Sequence, residues 1–426
     1  MLAKDTILYA IANGLNRGAM LLIFPILLTF LTIEEYGQFN LIIAISQFLI
    51  PFFCLSGTAG IVREGASNPG IALYLTYKLG LIVLGNILFF SVLFFISSST
   101  LPYWIFLSII LGGANTLFEL LMAFYRSLHR KDSYFYISVI KASAVVISVL
   151  VGKYEKLSLI DLIYLIFFIE IICIIIISIK IYFSLNKIGY EKFPLLKVFS
   201  YSLFIIPHGV AIWAMSSSDR LIINYYLSEY ELGIYSLAYT IATVQALINS
   251  GLGSALPQII YREYKKWESI NLRVRVIILF TIASTMLIFS MIVLISLDKY
   301  YLKILDHHSE VNKLLSILFP ALYLMGLYQF YSIFLFYDRR TKNIFYISSL
   351  ISILNVISNI LFIKKFGIIF AAYSTLGTYF LFFLTTFIYV KKSSPQLSLS
   401  LTKELLLPIV ITSIFVLINS ITFPLI

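Results

Sequence analysis

From Ser158 to Ile179 the chain runs through a segment whose only charged residues are Asp161 and Glu170. An α-helix rises about 1.5 Å per residue, so a run of this length crosses a hydrocarbon core roughly 30 Å thick while satisfying its backbone hydrogen bonds internally. Such a run leaves a chain few folds, and this chain repeats it from end to end. The predicted spans are Ile7 to Leu31, Asn40 to Val62, Leu73 to Ser97, Leu101 to Tyr125, Tyr134 to Val151, Ser158 to Ile179 and Phe199 to Leu227. They continue with Leu232 to Ile260, Val274 to Leu297, Leu314 to Tyr337, Asn343 to Ile363, Phe366 to Val390 and Leu405 to Ile426, thirteen in all. A composition of 60% hydrophobic and 12% charged residues, with a mean hydropathy of +0.97, belongs to an all-α integral membrane protein. Strands of a β-barrel would alternate apolar and polar residues, and these runs are continuous Leu, Ile and Phe.

Basic residues set the orientation, because cytoplasmic loops retain Lys and Arg. With the amino terminus inside, the inner loops hold 20 of the 31 basic residues and the outer loops 7. The net charge of +11 is therefore a topology signal and an attraction to anionic membrane lipids; it implies no nucleic-acid partner. Cys54 and Cys173 fall within apolar runs, so neither a disulfide framework nor a metal site is expected, and no cofactor is called for. His307 and His308 read as part of a solvated outer loop, and His208 as a partner for a carbonyl near Pro207. The first apolar run reads as an uncleaved insertion signal.

The sequence is written twice. Leu31, Glu35, Gly37, Phe39 and Leu41 match Leu227, Glu231, Gly233, Tyr235 and Leu237 at a constant offset of 196. An even number of spans per copy returns the chain to its starting side, so the copies are parallel repeats about an axis along the membrane normal, an architecture of transporters. The expected organisation is a six-helix lobe over 1–182, a basic cytoplasmic linker over 183–197, a second six-helix lobe over 198–392, and an extension over 393–426 with one more span. Pro25 and Pro207 are the expected kinks that let spans 1 and 7 bend around a cavity at the lobe interface.

Several charges sit where hydrocarbon rejects them, at about 3 kcal/mol or more each. Arg17, Lys78, Glu119, Lys141, Glu170, Asp219 and Arg220 all fall inside predicted spans. Helical spacing groups Asn13, Asn16 and Arg17; Gly112, Asn115 and Glu119; Ser138, Lys141 and Ser148; Ser216, Ser217, Arg220 and Asn224; and, without charge, Ser348, Ser352, Asn355 and Asn359. One reading pairs the charges structurally, Glu119 with Lys141 for example. Asp219 and Arg220 point about 100° apart on a helix, so at least one needs a partner elsewhere. The other reading makes Arg17, Lys141, Arg220 and Lys78 a cationic lumen for an anionic substrate, with Glu119, Glu170 and Asp219 as coupling groups for a proton or sodium ion.

The segment from Leu22 to Leu41, with Pro25 and Glu-Glu-Tyr-Gly-Gln-Phe, and the segment from Ser218 to Ala238, with Asp-Arg-Leu-Ile-Ile before Glu-Leu-Gly-Ile-Tyr-Ser-Leu-Ala, resemble hallmarks of the O-antigen and capsule polysaccharide flippases. These form the polysaccharide branch of the multidrug/oligosaccharidyl-lipid/polysaccharide (MOP) exporter superfamily. The resemblance implies a two-lobed carrier that turns undecaprenyl-diphosphate-linked oligosaccharide from the inner to the outer leaflet of the bacterial inner membrane by alternating access, with no enzymatic step. It implies further partners in a polysaccharide polymerase and a chain-length regulator. It also makes Pro25 a bend in span 1 and places Asp219 and Arg220 in a central cationic cavity. The thirteenth span departs from the twelve-helix pattern. Rivals are a multidrug exporter, whose cationic cargo buried bases would repel, a carrier of lipid II or teichoic-acid precursors, and a membrane-embedded O-antigen polymerase or ligase. A polymerase or ligase would be expected to carry a large catalytic outer loop, whereas the longest outer loop predicted here is the short Asp298 to Lys313.

Overall fold

Each copy of the repeated segment opens its helix with the same device. Thr32 Oγ1 accepts from the backbone N–H of Glu35 at 3.2 Å while the Thr32 N–H donates to the Glu35 carboxylate at 2.9 Å. Ser228 and Glu231 repeat this capping box at 3.2 and 3.1 Å. Two otherwise orphaned amide groups are thereby satisfied at each helix start, where the chain turns at the membrane surface.

The computed structural model describes residues 19–97, 101–185, 191–203, 205–262, 264–267, 269–297, 308–338, 341–394 and 397. The described residues are helical, with no strand among them, and they fall into two compact units, Met1–Trp213 and Ala214–Ile426. The first contains α1 (described over 19–27), α2 (Ile33–Phe53), α3 (Thr58–Gly65), α4 (Pro69–Ile96), α5 (Tyr103–Ser127), α6 (Lys131–Glu155), α7 (Leu159–Leu185), α8 (Leu195–Ser202) and the start of α9 (Ile205–Tyr226). The second holds the rest of α9 and α10 (Glu229–Ala242), α11 (Val244–Arg262), α12 (Tyr264–Trp267), α13 (Ile270–Leu297), α14 (His308–Tyr337) and α15 (Thr341–Ser393). Seven of the described helices are long and apolar enough to cross a membrane, or eight if α10 and the start of α11, bent by 40° at Thr243, form one broken span. Arg17 and the thirteenth predicted span lie outside the described residues.

In the first unit α5 is the central post, packed against α2, α3, α4, α6 and α7. Two adjacent glycines make this possible. A β-carbon on Gly112 would stand 3.0 Å from the Ser46 carbonyl oxygen of α2, and one on Gly113 would collide with Ile87 of α4. Without a hydrophobic force between helices in lipid, close backbone approach of this kind is what holds them. α14 is the equivalent post of the second unit, against α10, α11 and α15, and Gly326 gives it room for Asn249 and Phe280. The outward faces of α4, α6, α7 and α15 present large apolar side chains such as Leu88, Ile147, Ile176 and Leu361, as a lipid-facing surface requires.

The segment read as a linker is taken up in part by the first unit. Asn68 Nδ2 donates to the Glu191 carboxylate, Ser202 donates to the Leu55 carbonyl at 2.9 Å, and Trp213 Nε1 donates to the Ala44 carbonyl at 2.7 Å. These bonds carry 191–213 with α2, α3 and α4, so the division between units falls inside α9. The predicted seventh span is two helices, α8 and α9, and Pro207 occupies the first turn of α9, where a missing N–H costs no intrahelical bond. Pro25 lies within α1, two residues before its helical turns end.

Helix α15 covers two predicted spans. Gly367, at φ 68° and ψ −164°, interrupts it in a conformation that a side chain would forbid. Asn355 Nδ2 donates to Ser374 Oγ at 3.1 Å and Thr378 Oγ1 at 2.8 Å, and Ser358 bonds Ser374 at 3.0 Å. The pairs centre between residues 364 and 367, close to Gly367, so the two halves form an antiparallel hairpin. Asn355, from the uncharged stripe of span 11, reaches across its seam, and the rest of that stripe is buried.

Candidate functional site: two buried charge clusters

The intramembrane charges gather in two places, one in each unit. In the first, Glu119 of α5, Lys141 of α6 and Glu170 of α7 converge. Lys141 Nζ lies 3.7 Å from a Glu119 oxygen and 5.7 Å from the centre of the Phe118 ring. Glu170 lies on the buried stripe of α7 with Ile163, Ile166, Ile174 and Ile177, opposite the exposed Phe168, Ile172, Ile175 and Ile179. Lys141 acts on it electrostatically. Its Oε2 is sealed from solvent and has no hydrogen-bond partner among the described residues. Lys78 of α4 stands apart, half-buried, with its Nζ 5.9 Å from the Tyr77 ring.

The second cluster surrounds the adjacent pair on α9. Asp219 and Arg220 are buried at 2% and 7% exposure, and their side chains approach only to 3.9 Å, a loose ion pair. The stronger partner of Asp219 is on another helix: the Tyr235 hydroxyl of α10 donates to Oδ2, while the Arg220 backbone N–H donates to Oδ1 at 2.8 Å. The divergence of neighbouring side chains thus works out as helical geometry requires. The Arg220 guanidinium lies 4.4 Å above the Tyr239 ring, and Nη1 donates to the Ser216 carbonyl at 3.2 Å. Its Nε is buried without a hydrogen-bond partner among the described residues. Tyr239 meets Tyr379 of α15 at 3.4 Å.

Sequence reasoning named the charges and missed the tyrosines. Tyr235 and Tyr239 are four apart on α10 and share a face, a signal easily lost among 30 tyrosines. The repeat supplies a sharper one. The offset of 196 places Asp219 on Ile23 and Tyr235 on Phe39, both fully buried and apolar in the first unit. The acid and its hydroxyl donor thus occur together in one copy and are absent together from the other.

Chemically, the second cluster offers a planar cation with an unused donor, suited to phosphate oxygens, next to a carboxylate able to hold a proton or cation. The first offers one cation between two carboxylates. A membrane protein of duplicated helical units, each with ionisable groups inside its spans, has the build of a carrier.

The comparisons agree with this class. A family model described as polysaccharide biosynthesis protein matches residues 2–259, and a second, MatE, matches residues 205–361. The chain belongs to the polysaccharide biosynthesis protein family. Among solved structures, the lipid II flippase MurJ in an inward closed conformation superposes with a TM-score of 0.63 at 18% identity, covering 98% of both chains. An inward-facing multidrug resistance MATE family transporter of the MOP superfamily gives 0.62 at 12% identity, over 90% of this chain and 95% of that one. The MATE multidrug transporter DinF-BH gives 0.60 at 12% identity, over 94% and 96%. No curated protein matches the chain.

Proposed function

We propose that this protein is a flippase that moves undecaprenyl-diphosphate-linked oligosaccharide, the repeat unit of an O-antigen or capsule, from the inner to the outer leaflet of a bacterial inner membrane. It works by alternating access, with its amino terminus in the cytoplasm and an ion gradient supplying direction. The proposed repeat lobes are 1–182 and 198–392, joined by the cytoplasmic 183–197 linker even though 191–213 packs within the first compact unit, with 393–426 as an appended span and Pro25 and Pro207 as bending points. Arg220, with Arg17, Lys141 and Lys78, attracts the diphosphate; Glu119, Glu170 and Asp219 are the coupling groups. A polymerase and a chain-length regulator receive the flipped unit.

The observation that carries this reading is Arg220: a buried guanidinium whose Nε lacks a hydrogen-bond partner among the described residues, on α9 of a polysaccharide biosynthesis family member. Structural pairing alone accounts for it poorly, because a buried ion pair is no more stabilising than apolar packing of similar volume. In cells depleted of their own flippase and supplied with this chain, Arg220→Ala should abolish surface polysaccharide at unchanged protein level, and Arg220→Lys should restore part of it. Normal display in the Ala variant would end the assignment. A second reading, a carrier of lipid II, is favoured by the match to MurJ over 98% of both chains. Rescue of peptidoglycan synthesis, rather than of surface polysaccharide, would select it.

A further inference from the structure

Glu119, Lys141 and Glu170 form a line of falling access. The Glu119 side chain is 40% exposed and that of Lys141 is 15% exposed. Glu170 is 1% exposed. Three helices meet there, α5, α6 and α7, each contributing one ionisable group to the same interior. One ammonium cannot neutralise two carboxylates. In this conformation it stands with Glu119, and Glu170 keeps an oxygen with neither solvent nor a donor among the described residues. A buried carboxylate without such a donor carries a large desolvation penalty when ionised, and binding a proton removes it. The titratable groups around Glu170 among the described residues are Lys141 from α6, Glu119 from α5 behind it, and Cys173 one turn along α7 itself.

We infer that Glu170 is a proton-exchange site of the first unit, and that Lys141 gates it by moving between Glu119 and Glu170. The step is a protonation only. With Lys141 on Glu119, the Glu170 carboxylic acid holds its proton. When Lys141 turns to Glu170, the acid O–H breaks, the proton passes to water along the accessible side at Glu119, and the new carboxylate pairs with the ammonium, which keeps its own charge throughout. Glu119, released, is under the proposal the member of the line that faces water, being the most exposed of the three. The reverse movement takes a proton back. This names the proton as the coupling ion and rests on the transport reading for its purpose, though not for its chemistry. Under it Lys141 is a positioning residue for the proton.

A hydrophobic carbodiimide tests it, since it modifies carboxyl groups in their acid form within apolar surroundings. Full-length protein in liposomes is treated with dicyclohexylcarbodiimide across a pH series, and adduct at Glu170 is read by mass spectrometry. Labelling at Glu170 is expected, declining as pH rises, and Glu170→Gln removes it. Lys141→Ala should carry the half-point upward by about one pH unit or more, the effect of losing a nearby opposite charge. Glu119→Gln, which frees Lys141 for Glu170, should carry it downward. Lys141→Arg, which keeps the cation, should leave it near the wild-type value and holds the test open if the Ala variant fails to insert. No adduct at any pH, or a half-point that stays put in both Lys141→Ala and Glu119→Gln, overturns the proposal. A labelling pattern as expected in a wild-type chain that fails to restore surface polysaccharide to flippase-depleted cells would keep the exchange site and discard the cargo assignment.

Discussion

At the scale of residues, the charges inside the membrane hold their places through partners on other helices. Asp219 depends on Tyr235 more than on its neighbour, because the hydroxyl donates directly while the guanidinium stays at 3.9 Å. Tyr235→Phe removes that donor from a fully buried carboxylate and should cost about 1–3 kcal/mol in thermal stability of the detergent-solubilised protein. Unchanged melting would mean that Arg220 suffices. The sequence made Asp219 and Arg220 conspicuous by their charge. It could not point to Tyr235, since a hydroxyl changes the hydrophobic pattern too little to stand out, and the correspondence with Phe39 gains meaning only beside the pairing of Asp219 with it. Glu119 and Lys141 were legible as a pair because opposite charges buried in neighbouring spans have few ways to be satisfied. The place of Glu170 behind them depended on how α7 rotates about its axis.

At the scale of elements, capping and turn chemistry decide where helices begin and reverse. The two capping boxes occupy equivalent points of the repeat, so Thr32→Ala and Ser228→Ala should each destabilise by about 1 kcal/mol, with near-equal shifts in melting temperature. Gly367 is the sharper case. Its φ of 68° with ψ of −164° lies in a region open only to glycine, so Gly367→Ala should cost about 1–3 kcal/mol or misalign the hairpin seam at Asn355 and Thr378. Wild-type stability in that variant would show that the turn relaxes. Apolar run lengths located both arms of this hairpin, and the Ser/Asn stripe marked the face that pairs. Within α8 and α9 the same criterion joined what the structure separates, because hydropathy does not register how the flanking Ser202 and Trp213 bond to Leu55 and Ala44 of the first unit.

At the scale of the whole molecule, the distribution of Lys and Arg predicts a sidedness that cysteine labelling can read. With Cys54 and Cys173 replaced by Ser, Arg130→Cys in the α5–α6 turn should react with an impermeant maleimide only from the cytoplasmic face, and Lys156→Cys in the α6–α7 turn only from outside. Equal reactivity from one side would overturn the topology. The sequence by itself determined that this chain is a duplicated bundle of membrane helices, because backbone hydrogen bonding in hydrocarbon and the transfer cost of side chains are local properties, summed along each run. It also determined which residues are too polar to face lipid. Only the tertiary structure decided which of them meet, since a periodic stripe fixes a face of a helix and says nothing about the helix opposite. The tyrosine beside Asp219, the sealed Glu170 oxygen that has no partner among the described residues, and the assignment of 191–213 to the first unit all follow from packing between different segments.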